Sequence, residues 1–365
     1  MGRPLVVALD AASLRGGGHR SGVGRYVLGL LGGLATLSPD VSVRALVSDD
    51  VPLPAGIERR RIVRRAPGGR PRMIEDAARG PLEAWRVGAD VFHQPSPDPA
   101  PRRPRPYVQT LHDLVPLTDP DPGLAAMRRR FARYARRYGG ADAVIAVSRH
   151  SAQEGIRLWG LDPARVHVIH HGIDPTFRPA PDPVPGPEPP YVVVVSEFSP
   201  RKGFGTAFAV IGAVAAAGMP HRLKVAGRVP PWRRPELDAL VAAAPRPDRV
   251  DLVGFVDDLV GLYQGATACL VTSRAEGFGF SAAEAMACGT PVVAFDTSAV
   301  PEVVGGAGVL VPPGDVDAMA DAVCALTEPA RAAELRARSL RRAAELTWAR
   351  SASAHLDVYR SVVEP

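Results

Sequence analysis

Lysine is nearly missing from this chain of 365 residues: of its 44 basic residues only Lys202 and Lys224 are lysine. A coding preference for arginine accounts for most of that imbalance, which makes the two lysines worth locating. Cysteine is scarce as well. Cys269, Cys288 and Cys324 lie in apolar contexts without paired spacing. That excludes a disulfide framework and predicts buried thiols in a reducing compartment. No apolar run approaches the roughly 20 residues that span a bilayer. The start, MGRPLVVALDAASLRGGG, has too short an apolar core and no small-residue cleavage pattern, so it predicts a first strand and not a signal peptide. Together these absences predict a cytoplasmic protein. Aromatic residues make up only 6% of the chain and form no RNP-like pattern, so nucleic acid is not the partner expected for the net charge of +6. An anionic membrane surface or an anionic small substrate remains.

What is present is a two-domain α/β pattern. At about 150 residues per domain the length fits two, and 46% hydrophobic with 22% charged residues is a globular composition. Short apolar runs alternate with helical patterns, which predicts parallel sheets built from βα units. Strand candidates in the first half are PLVVALD, VSVRALVS, ADVFHQ, PYVQTLHD, ADAVIAVS and RVHVIHHG; in the second half they are YVVVVSE, HRLKVAG, RVDLVGF, ATACLVTS, TPVVAFD and GVLVPP. Between the two series, seven prolines in Phe177–Tyr191 exclude a helix or a central strand and mark a semi-rigid linker. Helices are expected at Phe204–Ala217, Pro235–Ala244, Leu259–Gly265 and Ser281–Cys288, and through the arginine-rich end. The expected division is a doubly wound domain over residues 1–178, a linker at 179–190, a second such domain over 191–346, and a last helix over 347–365 packing back on the first domain. In such folds ligands sit outside the carboxyl ends of the strands.

The most informative stretch is SRAEGFGFSAAEAMACGTPVVAFD, Ser273 to Asp296. TACLVTS is a buried strand, so Glu276 and the Gly-Phe-Gly-Phe turn of Gly277, Phe278, Gly279 and Phe280 leave its carboxyl end. Ser281-Ala-Ala-Glu284 matches a capping box. On that account Glu284 caps a helix and Glu276 is solvated. The alternative is chemical: the glycines let backbone amides approach a phosphate at a helix N-terminus, and the carboxylates accept hydrogen bonds from hydroxyls around it. Two carboxylates repel a lone phosphate, so the ligand must carry many hydroxyls, as a nucleotide sugar does. Its phosphates need cations, and SEFSPRKGF supplies Arg201 and Lys202 directly after the first strand of the second domain. A lysine kept in a chain that otherwise writes arginine points to a compact ammonium, whereas those two residues alone would read as an exposed basic turn. Further candidates are weaker. RGGGHRSGVGRY follows the first strand, with Gly22 and Gly24 ahead of a helix, and TLHDLVPL ends a strand on His112-Asp113.

Taken in order, SGVGRY, TLHDLVPL, AVIAVSRHS, VIHHGID, SPRKGF, LVGFVDD, the Glu276–Glu284 stretch and PEVVGGAGVLVPPGD resemble glycosyltransferase family 4, retaining enzymes of the GT-B fold. The match spans nearly the whole chain, and the first-domain elements look most like the mannosyltransferase- and rhamnosyltransferase-like branch. The resemblance implies that Glu284 holds the ribose hydroxyls of the donor. It implies that Glu276 and the amides of Gly277 to Phe280 hold the transferred sugar, and that Arg201 and Lys202 neutralise the diphosphate. His112 would lie beside the sugar, and Gly22 and Gly24 would form a loop approaching the donor. It implies no metal and no other cofactor. The chain departs from the pattern at Ser196-Glu197, where the family often has glycine, and at Gly203, where it often has asparagine.

Other functions fit less well. His167, His170 and His171 lack an accompanying carboxylate or cysteine set and read as a strand end. A glycosidase pair would flank a sugar from two sides, whereas Glu276 and Glu284 share one segment. A nucleotide-sugar-binding protein or epimerase on the same fold is the other class, distinguished by whether a glycoside forms. Finally, RRRFARYARRY, Arg128 to Tyr138, puts Phe131, Tyr134, Ala135 and Tyr138 on one helical face and Arg129, Arg133, Arg136 and Arg137 on another. That is either a core-facing stripe with a solvated back or a face that meets anionic lipid at the inner membrane surface.

Overall fold

The computed structural model describes residues 3–37, 39–47, 51–61, 83–100, 106–181 and 188–364. The chain divides into two compact units, Met1–Gly172 with Leu346–Pro365, and Ile173–Glu345. Of the expected linker, residues 182–187 lie outside the described residues.

The first unit is built on β1 (Leu5–Asp10), β2 (Val41–Val47), β3 (Glu58–Arg61), β4 (Val91–Gln94), β5 (Tyr107–Leu111), β6 (Ala143–Ala146) and β7 (Val166–Val168), in the order β3-β2-β1-β4-β5-β6-β7. The second contains β8 (Tyr191–Val195), β9 (Arg222–Ala226), β10 (Val250–Gly254), β11 (Ala268–Val271), β12 (Val292–Phe295) and β13 (Val309–Val311), in the order β10-β9-β8-β11-β12-β13. The recorded strand pairs are all parallel. Both orders reverse direction beside the first strand, as in doubly wound nucleotide-binding sheets.

Alternation along each strand divides the first core in two. Val7, Leu9, Val108 and Ile145 join one apolar cluster, while Ala8, Leu111, Val144 and Ala146 join the other. Successive side chains point to opposite faces, and a parallel sheet is covered on both. The C-terminal helix Trp348–Val363 packs in this unit against the helix Gly22–Ala35. The contact explains glycines that a helix would otherwise avoid. A Cβ on Gly29 would lie 1.9 Å from the Trp348 ring, and one on Gly33 2.5 Å from the Trp348 carbonyl.

Two elements differ from expectation. β3, the sequence Glu-Arg-Arg-Arg, has no apolar run, yet pairs with β2 at the sheet edge, where charge is tolerated. The arginine-rich stretch is not one helix: Ala125–Ala132 stops, and a short turn Ala135–Tyr138 follows. Phe131, Tyr134 and Tyr138 are nevertheless buried, with Phe131 and Tyr138 packed on Trp159, and Arg129, Arg133, Arg136 and Arg137 are exposed.

Candidate functional site

β8, β11 and β12 are consecutive neighbours in the second sheet, so parallel pairing brings the loops leaving their carboxyl ends to one edge. The loop after β8 tightens into a short turn, Pro200–Lys202, closed by Gly203 with φ of 65°. A Cβ on Gly203 would lie 2.2 Å from the Thr272 carbonyl oxygen. Asparagine tolerates a left-handed backbone but would collide here, which accounts for glycine at this position.

Hydrogen bonds join the loops after β8 and β11. Thr272 Oγ1 donates to the Lys202 carbonyl (2.9 Å), the Arg274 amide to the Arg201 carbonyl (2.8 Å), and Arg201 Nη1 to the Ala275 carbonyl (2.7 Å). The loop after β12 joins them: the Glu276 amide donates to Ser298 Oγ (2.9 Å) and Thr297 Oγ1 to the Arg274 carbonyl (3.2 Å). At the centre Lys202 Nζ lies 2.5 Å from Glu276 Oε1, and Arg201 Nη1 3.6 Å from Oε2. These are not the exposed turn and solvated carboxylate that the residues alone suggest. The Lys202 and Glu276 side chains are 13% and 11% exposed. Burial pushes the Glu276 carboxyl up, but the Lys202 ammonium and the Arg201 guanidinium outweigh it and hold the pKa below the ordinary value. Glu276 is therefore ionised at neutral pH, locked between two cations.

The capping box does not form. The helix runs Phe280–Ala287 behind Gly279, which has φ of 100° and offers no capping side chain. Ser281 thus falls inside the first turn, two positions too late to cap, and Glu284 lies deeper in the helix. Glu284 is buried, with Oε2 accepting from the Tyr263 hydroxyl at 3.3 Å. Phe278 packs edge-on against Phe280, with centroids 5.3 Å apart. Arg201, Lys202 and Glu276 are therefore brought together, while the recorded hydrogen bond of Glu284 goes to Tyr263.

In the first unit His112 follows β5. Its Nε2 lies 2.7 Å from the Pro95 carbonyl, an acceptor only, so Nε2 carries the proton and the neutral ring presents Nδ1 as an acceptor. Burial lowers its pKa, against the opposing effects of the Pro95 carbonyl and Asp113. The Tyr26 ring stands edge-on to it with centroids 5.3 Å apart, and the His171 ring lies tilted to it at 6.0 Å. Gly22 and Gly24 are not in a free loop: both lie in the first turn of the helix Gly22–Ala35, where the Gly24 amide donates to the capping Ser21 Oγ at 3.0 Å. Among the described residues no group of three His, Cys, Asp or Glu side chains is placed to hold a metal ion, and no helix is long and apolar enough to cross a membrane.

Sequence reasoning missed a row of buried polar groups behind His112. The Ser351 carbonyl lies 2.7 Å from His355 Nδ1, His355 Nε2 lies 2.9 Å from the Tyr26 hydroxyl, and that hydroxyl lies 2.9 Å from Thr110 Oγ1. Thr110 Oγ1 is 2.8 Å from His93 Nε2, and His93 Nδ1 is 2.7 Å from the Tyr359 hydroxyl. These side chains come from two strands and two helices, and no local pattern links them.

Comparison with known proteins agrees with this architecture. Residues 20–177 match the family described as Glycosyltransferase Family 4, and residues 189–328 the one described as Glycosyl transferases group 1. The D-inositol 3-phosphate glycosyltransferase 1 of Catenulispora acidiphila is 30% identical, over 83% of this chain and 81% of its own. Sucrose-phosphate synthase from Thermosynechococcus elongatus has a similar structure, with a TM-score of 0.76 at 24% identity over 98% of both chains. So does the Anabaena HepE protein in complex with UDP-glucose, with a TM-score of 0.68 at 18% identity over 99% of both chains. At those identities the structural likeness speaks for fold. With two parallel α/β sheets and a matched family pattern in each unit, the chain belongs to glycosyltransferase family 4 and has the GT-B fold.

Proposed function

We propose that this chain transfers a sugar, mannose- or rhamnose-like, from a nucleoside diphosphate sugar to a hydroxyl of a glycan, lipid-linked or small-molecule acceptor. Transfer proceeds with retention at the anomeric carbon and without a metal. The observation that carries this reading is the assembly of Arg201, Lys202 and Glu276 where β8 and β11 end. Two cations against one carboxylate leave one positive charge in excess, suited to a diphosphate. As the bond from the anomeric carbon to the phosphate oxygen breaks, its electron pair passes to the diphosphate. Cations already held in place stabilise that developing charge more than they stabilise the ground state. The N-terminus of the helix Phe280–Ala287 adds a partial positive charge. Glu276 and the turn from Gly277 to Phe280 take the sugar hydroxyls, and Glu284 the ribose hydroxyls. His112 offers its Nδ1 to a hydroxyl of the sugar, with Gly22 and Gly24 at the helix start of the same unit. The mannose- or rhamnose-like choice rests on the Gly-Val-Gly-Arg-Tyr and His-Asp elements.

A panel of nucleoside diphosphate sugars, incubated with hydroxyl acceptors and with or without chelator, tests the reading. The expected outcome is a glycoside with the donor's anomeric configuration, formed equally in chelator. An inverted product, or activity that returns only with added magnesium or manganese, contradicts the mechanism; an isomerised sugar nucleotide without glycoside assigns the epimerase reading instead.

The exposed Arg129, Arg133, Arg136 and Arg137 over a buried aromatic stripe favour a second element, peripheral contact with an anionic membrane surface at the inner face. Binding to anionic vesicles should then weaken as salt rises. No binding at low salt assigns these arginines to a solvated face.

A further inference from the structure

Among the described residues, Ser298 is the one non-glycine residue with positive φ, at 51°. An L-residue enters the left-handed region at a cost that glycine does not bear, and such outliers persist only where the surroundings impose them. Ser298 lies just beyond β12, on the edge where β8 and β11 end. Its hydroxyl oxygen accepts the Glu276 amide hydrogen at 2.9 Å. Next to it, Thr297 is tied by its own hydroxyl to the Arg274 carbonyl at 3.2 Å, two residues before Glu276. Glu276 is thus held at both ends: its amide by Ser298, and its carboxylate by Lys202 and Arg201. The cations fix where the charge sits. Arg201 also holds the Ala275 carbonyl, one side of the peptide from which Glu276 departs, and the serine hydroxyl holds the amide on its other side. If the loop only required a left-handed residue, glycine would supply the backbone without strain; a serine is needed only if its oxygen is used.

We infer that Ser298 is a positioning residue for Glu276, its left-handed backbone aiming the hydroxyl at the Glu276 amide so that the carboxylate meets the transferred sugar in one orientation. The inference rests on the proposed role of Glu276. A hydrogen bond that keeps a reacting group aligned acts on turnover, and small misplacements are felt there. Ser298→Gly suits the left-handed backbone and removes the hydroxyl together with its Cβ, so the loop should still fold. Ser298→Ala removes the same oxygen but keeps the strain, and guards against a glycine-specific loosening.

The test is donor kinetics and melting on both variants, alone and combined with Glu276→Gln. Both Ser298 variants should lower kcat by about threefold to tenfold, the range expected when one hydrogen bond ceases to act in the transition state, with donor KM nearly constant. Ser298→Gly should melt no lower than wild type. In the Glu276→Gln background the further loss should vanish, because coupled residues are not additive. Wild-type kcat in Ser298→Gly overturns the inference, as does an equal loss with and without the Glu276 carboxylate. Normal turnover in Glu276→Gln alone overturns instead the sugar role of Glu276, and the two failures are told apart by that single variant.

Discussion

Replacing Tyr26 by phenylalanine tests the buried row in the first unit. The Ser351 carbonyl can only accept, so His355 Nδ1 must carry its hydrogen. Burial pushes the His355 pKa down to about 4, so the ring is neutral near pH 7 and its Nε2 is an acceptor. The Tyr26 hydroxyl therefore donates to His355, Thr110 donates to Tyr26, His93 Nε2 donates to Thr110, and Tyr359 donates to His93 Nδ1. One carbonyl thus sets the direction of every hydrogen. Tyr26, His93, Thr110, His355 and Tyr359 are all 0% exposed, so no water replaces a lost partner. Tyr26→Phe leaves two groups unsatisfied, the Thr110 hydroxyl and His355 Nε2. At about 1–3 kcal/mol for each buried unsatisfied group, the cost is about 2–4 kcal/mol after some relaxation. For a unit of this size that lowers the melting temperature of its transition by roughly 4–16 °C. Tyr359→Phe, at the head of the row, leaves only His93 Nδ1 without a donor and should cost about half as much. Calorimetry on the two variants reads both. Equal losses, or a larger loss for Tyr359→Phe, would refute the single direction assigned to the row.

The same row, with His171 beside the Tyr26 ring, makes the first unit sensitive to acid. Burial holds His93 and His171 well below the ordinary histidine value and pushes His355 down to about 4, whereas the unfolded chain takes up these protons from about pH 6.5. Their stabilising effect is present above that pH and is lost as pH falls toward 4, by up to about 1.4 kcal/mol per pH unit for each histidine; a flat melting temperature between pH 7 and 5 would contradict this. Gly29→Ala should destabilise by at least about 1–3 kcal/mol, because its new methyl meets the Trp348 ring in a closely packed contact, and unchanged melting would place that helix elsewhere. Glu284→Gln should melt like wild type, since the amide oxygen can still accept from Tyr263 and no cap is lost. Its donor KM should rise as a charged acceptor becomes neutral, and an unchanged KM would remove Glu284 from the donor site.

Much of the fold was legible because parallel strands buried on both faces read as unbroken apolar runs, Tyr191-Val-Val-Val-Val195 being the clearest. β3 was not, since an edge strand of Glu58 and three arginines buries too little to leave an apolar signal. The residue types at the site could be named, but not their contacts. Lys202 and Glu276 stand far apart along the chain and meet only because β8 and β11 are neighbours. Ser281-Ala-Ala-Glu284 misled because a capping box needs its serine at the boundary, and Gly279, in a left-handed conformation, moved the boundary. Ser298 left no sequence signal either, since its identity matters only through a backbone angle and one hydrogen bond to another loop.

In the proposed mechanism Arg201 and Lys202 hold a nucleoside diphosphate at the edge where β8 and β11 end. Isothermal titration of UDP and GDP against wild type and the Arg201→Ala/Lys202→Ala double variant measures it directly, below the melting temperature of both. Two charge-assisted contacts are worth about 3–6 kcal/mol together, so the double variant should bind the preferred nucleotide at least about 100-fold more weakly. Equal affinity in the two proteins would contradict the claim.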